Sequence, residues 1–147
     1  MKQVVITGVS TGIGHASTKV LIDRGFRVFG SVRRQEDADR LQSEFGEQFV
    51  PLLFDVTDEA AVQLAADKVG RGLGTSTLDG LVNNAGIEVT GPLAYLPVDL
   101  FRQQLEVNLV DPLIVTKAFL LPTNCGVNVT LMLQVPPAGT EVPQLLD

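Results

Sequence analysis

Thr7-Gly8-Val9-Ser10-Thr11-Gly12-Ile13-Gly14 stands between a short apolar run, Gln3 to Thr7, and a stretch over about 13–24 that reads as a helix. The helical stretch carries Ala16, Val20 and Leu21 on one face and ends at Gly25. Strand, glycine turn, helix is the layout in which a helix N-terminus offers free N–H groups to a phosphate while glycines let the backbone approach closely. The spacing is not Gly-x-Gly-x-x-Gly, because Ser17 occupies the third glycine's place. The alternative is a loop that only turns the chain.

Outward from this loop the alternation continues. Strand patterns at about 26–32, 49–54 and 78–82 are separated by helical patterns at about 35–45 and 58–69, the latter capped by Thr57 or Asp58. A longer helical stretch covers about 99–121 and contains Pro112, which predicts a kink. Strands alternating with helices predict an α/β fold: a doubly wound parallel sheet of the Rossmann type with helices on both faces. Asn83-Asn84-Ala85-Gly86 follows the fourth strand. At the carboxyl end of a strand beside the first, it shares a crevice with the glycine loop, and its amides can satisfy that loop's backbone.

The two motifs together resemble the short-chain dehydrogenase/reductase family of NAD(P)(H)-dependent oxidoreductases, in order and spacing over about residues 2–121. The resemblance implies cofactor contacts from Gly8, Ser10, Thr11, Gly12, Ile13 and Gly14 in the first loop. It implies others from Asp55 and Val56 after the third strand and from Asn83, Ala85 and Gly86 after the fourth. Asn108, in Glu-Val-Asn-Leu, matches the family's catalytic-helix Asn; read on its own, it is a helix-surface residue or a partner of the kink at Pro112. The implied chemistry is hydride transfer between a nicotinamide and a carbonyl or alcohol. The family's Tyr-x-x-x-Lys does not occur: the only tyrosine is Tyr95, four residues before Asp99, and neither Lys nor Arg follows Lys117, nor Ser Ser76. Thr130 lies near where the family's Ser falls. Asp111 stands where the family often has Gly, an anomaly for helix packing.

Cofactor choice follows from charge. The second strand ends in Ser31-Val32-Arg33-Arg34, with no acid before Glu36. Guanidinium groups suit a ribose 2′-phosphate, whereas an acid there selects the free 2′-hydroxyl. NADP is therefore expected over NAD, with Arg33 as first choice and Arg34 beside it. The bland reading makes both arginines solvated helix-start residues, and the mixed charges from Arg33 to Arg40 a solvated helix face. His15 reads as an exposed helix residue and Cys125 as an inert thiol.

Composition sets the remaining bounds. The 147 residues carry 11 Lys+Arg against 17 Asp+Glu, a formal charge of −6, with 45% apolar residues and a mean hydropathy of +0.25. Such a chain folds rather than staying disordered, and its acidity argues against nucleic acid as a partner. One cysteine excludes an internal disulfide and a multi-cysteine zinc site, and no metal site is expected. No apolar run reaches the roughly 18 residues of a membrane span, so a cytoplasmic location without membrane partners is expected. Two units follow: residues 1–121, an NADP-binding domain, and 122–147, a divergent tail with one strand over 127–135 and then irregular chain. Four of the eight prolines fall in that tail. The length stands against the roughly 250 residues of a complete domain of this kind. With the resemblance, that contrast implies a sheet incomplete on its C-terminal side and a C-terminally truncated member, from a frameshift, splicing or an early stop. Two functions are weighed: an oxidoreductase that is inactive as this isolated chain, and a non-catalytic module that binds nucleotide or forms a homodimer through the long helix from about Asp99.

Overall fold

The computed structural model describes residues 1–120 and, as backbone, residues 131–133. Five parallel strands form one sheet: β1 (Gln3–Ile6), β2 (Arg27–Val32), β3 (Phe49–Leu53), β4 (Gly80–Asn83) and β5 (Leu131–Leu133), in the order β3-β2-β1-β4-β5. Five helices connect them: α1 (Gly12–Asp23), α2 (Gln35–Phe45), α3 (Glu59–Leu73), α4 (Val98–Leu105) and α5 (Asp111–Leu120). Successive strand residues face opposite sides, so Val4 and Ile6 enter one core and Val5 the other. Val28 and Phe49 join Val4 and Ile6 beneath α1 and α2, against Leu41. Phe29, Leu52 and Leu81 join Val5 beneath α3 and α5, against Val62, Val69, Val115 and Phe119. A sheet covered on both faces needs apolar residues on both, which is why every residue of β1 is buried. The doubly wound α/β fold is the one expected.

Several local expectations are corrected. The face of α1 named from the sequence is not the packed one: Val20 and Ala16 are exposed, while Gly14 and Thr18 are buried and Leu21 and Ile22 pack on the core. Close approach to the sheet selects the small residues. Helix α3 runs four residues further than expected, to Leu73, because Val69 and Leu73 continue its buried stripe. Of the two candidate caps, Asp58 is the one used, accepting the Ala61 N–H at 3.0 Å. Strand β4 begins at Gly80, where pairing with Val4 starts, rather than at Leu78.

The stretch over 99–121 is not one kinked helix. Between α4 and α5 the chain widens into a π turn over Glu106–Val110. Pro112 has no N–H for the Asn108 carbonyl four residues earlier, and its ring crowds that oxygen; the wider turn accommodates both. The charge run after β2 is not wholly solvated either, since Asp37 is buried together with Ala38 and Leu41. Of the strand expected over 127–135, residues 131–133 pair with β4. Cys125, Thr130 and the tail beyond Leu133 lie outside the described residues.

Candidate functional site

Strand order reverses direction of growth at β1, which has β2 on one side and β4 on the other. In an open α/β sheet a crevice forms at such a point, outside the carboxyl ends of the strands. The loops after β1 and β4 open into a crevice of about 560 Å³, a size typical of small-molecule sites.

Its two motifs are locked to each other by hydrogen bonds. The buried Thr7 hydroxyl accepts the N–H groups of Asn84 and Ala85, both at 2.9 Å. Asn84 Nδ2 donates back to the carbonyls of Thr7 and Gly8, at 2.9 and 2.8 Å. The Gly8 N–H donates to Ser31 Oγ at 2.9 Å, which brings β2 into the same assembly. Gly8 has φ +69°, and a Cβ there would sit 2.9 Å from the Ala85 backbone. A Cβ on Gly14 would run into the Gly8 carbonyl and lie 2.5 Å from Asn84 Nδ2. These glycines let two loops and a helix terminus touch.

The loop fits a dinucleotide on one further observation. A Cβ on Gly12 would meet no protein atom within 4 Å, so bare backbone at the start of α1 faces the crevice that Gly12 lines. No side chain caps that helix: Thr11 precedes it in an extended conformation without a cap hydrogen bond. Free N–H groups at a helix start are the donors that a pyrophosphate takes.

The crevice gathers nearly all of the expected residues: Gly8, Ser10, Thr11, Gly12, Ile13 and Gly14 from the first loop, Arg33 after β2, Asp55 and Val56 after β3, Asn83, Ala85 and Gly86 after β4, and Asn108 from the π turn. Asp55 Oδ1 accepts the Thr57 N–H and hydroxyl, at 3.1 and 2.9 Å, fixing the turn after β3. Arg33 Nη1 stands 3.9 Å from Asp55 Oδ2. Arg34 is not brought to the crevice; its Nε donates to Asp37 Oδ2 at 3.0 Å. His15 is also absent from it. Its Nε2 lies 2.9 Å from Glu44 and its ring packs beside Phe45.

Asn108 uses both ends of its amide on one residue: Oδ1 accepts the Ile87 N–H at 2.9 Å, and Nδ2 donates to the Ile87 carbonyl at 2.8 Å. One helical turn earlier, Gln104 Oε1 accepts the Val89 N–H at 2.7 Å. The pair staples the loop after β4 to α4 and the π turn. Gln104 was not singled out in the sequence, although polar amides at i and i+4 on one helix face were the available signal. Thr7 and Asn84, quoted within the motifs, hold the loops together rather than standing ready for a ligand.

Asp111 opens α5 and is 2% exposed, with no hydrogen-bond partner for Oδ2. Burial pushes its carboxyl up to about 6, and the negative charges of Glu106, Asp55 and Glu59 add to the rise. Tyr95 lies on an exposed turn over Leu93–Tyr95 and does not line the crevice. Among the described residues no group of three or more His, Cys, Asp or Glu side chains is placed to hold a metal ion. Among the same residues no helix is long and apolar enough to cross a membrane.

Comparison with known proteins agrees with this geometry. The family model described as short chain dehydrogenase matches residues 2–123. The NADPH-dependent 3-dehydrocapnine reductase of Ornithobacterium rhinotracheale is 40% identical over 120 residues, which is 82% of this chain and 42% of the reductase. Serine 3-dehydrogenase of Rhizobium radiobacter is 36% identical over 121 residues, 82% of this chain and 47% of that enzyme. Among solved structures, an NADPH-bound carbonyl reductase from chicken fatty liver superposes with a TM-score of 0.74 at 28% identity, over 81% of this chain and 50% of its own. A short-chain dehydrogenase from Streptomyces avermitilis does so with 0.74 at 29%, over 81% and 44%. The chain thus spans about half the length of the proteins it matches. The described fold, its crevice and these matches over the first 123 residues have one meaning: the chain belongs to the short chain dehydrogenase family of oxidoreductases.

Proposed function

We propose that these residues form the NADP(H)-binding part of an oxidoreductase that moves hydride between nicotinamide and a carbonyl or alcohol. The observation that carries this reading is the bare backbone at Gly12, at the uncapped start of α1, facing a crevice whose β2 side carries Arg33. The α1 terminus and the loop amides would bind the diphosphate, Arg33 would meet the 2′-phosphate, Ser10 and Thr11 would add hydroxyls, and Asp55 and Val56 would border the adenine. Bound nicotinamide supplies or receives the hydride. Asn108 holds the Ile87 backbone and thereby shapes the far wall of the crevice. Without Tyr-x-x-x-Lys, the 147 residues have no general acid of the family's kind, whose loss costs about 10²- to 10⁴-fold in rate. The isolated chain is therefore expected to bind cofactor with negligible turnover of carbonyl substrates. Its lone cysteine suits a reducing compartment, and the cytoplasm is the location proposed.

Equilibrium fluorescence titration with NADPH and NADH tests the reading. NADPH is expected to bind more tightly, and Arg33→Ala to weaken NADPH by about tenfold or more, the scale of one charge-assisted hydrogen bond. Tighter NADH binding by the unaltered chain would contradict the proposal.

A second reading is supported by Phe101, Leu105, Leu109 and Leu113, exposed apolar residues four apart along α4, the π turn and α5. A stripe of this kind, exposed among the described residues, suits self-association. Sedimentation is expected to show a dimer that Leu109→Glu dissociates; a monomer at all concentrations would dismiss this reading.

A further inference from the structure

Side chains of α2 and of the turn before it form a connected chain that ends on the glycine loop. Asp37, in the first turn of α2, is 8% exposed and carries two arginines. Its Oδ2 accepts from Arg34 Nε at 3.0 Å, and its Oδ1 from Arg40 Nη2 at 3.2 Å. The same Arg40 Nη2 donates to the Ser10 carbonyl at 2.7 Å, thirty residues away in the glycine loop. Glu44, one turn further along α2, stands 3.7 Å from Arg40 Nη1 and steadies the far side of the guanidinium. A rigid planar fork can hold two acceptors at once, which a lysine ammonium on its flexible stem does poorly. The Arg34 guanidinium is tied through Nε, and no hydrogen bond occupies its two terminal nitrogens among the described residues.

We propose that Asp37 and Arg40 are positioning residues for 2′-phosphate recognition: they tie the glycine loop at Ser10 to the turn after β2 at Arg34 and so fix the gap between Ser10–Thr11 and Arg33. This rests on the NADP(H) reading above and adds the residues that set its selectivity. On that reading the 2′-phosphate of NADP(H) would enter this gap, whereas the bare start of α1 at Gly12 would take the diphosphate that both dinucleotides share. Loosening the tie therefore acts on the cofactor with the extra phosphate.

The full 147-residue chain is titrated with NADPH and with NADH as Arg40→Ala, Arg40→Lys and Asp37→Asn, with the melting temperature of each recorded. Arg40→Ala, at a half-exposed position, is expected to fold. It should weaken NADPH about 5- to 10-fold, the scale of one ordinary hydrogen bond, and change NADH less than about twofold. Asp37→Asn should act in the same direction, and Arg40→Lys should recover part of the loss. Equal weakening of both cofactors, or an unchanged NADPH-to-NADH ratio, overturns the inference. If the unaltered chain prefers NADPH and the variants keep its ratio, this inference alone fails. If the unaltered chain shows no preference for NADPH, the underlying reading fails with it.

Discussion

Gly14→Ala is expected to lower the melting temperature by roughly 10 °C or more and to abolish detectable dinucleotide binding. Alanine is the better helix former, so helix propensity alone predicts a stabilising change of about 1 kcal/mol. Packing at this position opposes it. The added methyl would collide with the Gly8 carbonyl and stand 2.5 Å from Asn84 Nδ2. Neither can withdraw freely: Gly8 is held by Ser31 and by the Asn84 amide, and Asn84 by Thr7. Overpacking of a closed contact costs about 1–3 kcal/mol, and separating Asn84 from its carbonyls about 1–3 more. The sum outweighs the gain in propensity. The displaced atoms also belong to the loop that lines the crevice, so affinity falls with stability. Calorimetry checks the first effect and titration the second; a variant as stable as the parent would show that the loops yield easily.

Asp111→Asn is expected to stabilise the chain, by up to about 3 kcal/mol at pH 7 and by almost nothing near pH 4. The carboxyl titrates at about 6 in the folded chain, against roughly 3.9 when unfolded. The folded state holds this proton more tightly, so ionisation favours unfolding. The group costs nothing below its unfolded value, and stability is lost as pH rises from about 4 through about 6. A shift near two units corresponds to about 3 kcal/mol once both steps are complete. Asparagine keeps the shape and cannot ionise among Glu106, Asp55 and Glu59. Melting curves of both proteins across pH 4 to 8 give the test. A difference that does not grow with pH, or a destabilised variant, would refute this account of Asp111.

The fold was legible in the sequence because it depends on periodicity and on two short motifs. Helix α2, Gln35–Phe45, covers the stretch expected at about 35–45, where Ala38, Leu41 and Phe45 recur three and four residues apart. The doubly wound arrangement predicts β1 beside β4, and that adjacency brings Asn83-Asn84-Ala85-Gly86 to the glycine loop. What escaped was set by tertiary contact. Beside Leu21 and Ile22, the packed face of α1 includes Gly14 and Thr18, which carry no hydrophobic signal, while Val20 faces outward. The π turn needs Pro112 and also the docking of Asn108 on Ile87, a loop twenty-one residues away. Arg33 and Arg34 are alike as sequence, yet only Arg33 lines the crevice, because a carboxylate three residues on claims Arg34. The rise of Asp111 comes from burial and from charges on three other segments, which no local pattern encodes.

The crevice at the carboxyl ends of β1 and β4 is proposed as a dinucleotide site. Titrating NADPH into the ¹⁵N-labelled 147-residue chain and following its amide resonances tests this most directly. Saturable shifts are expected at Gly8, Thr11, Gly12, Gly14, Arg33 and Ala85, with Phe101, Leu105 and Leu113 unmoved. No shifts at saturating NADPH, or shifts confined to the exposed face of α4 and α5, would contradict it.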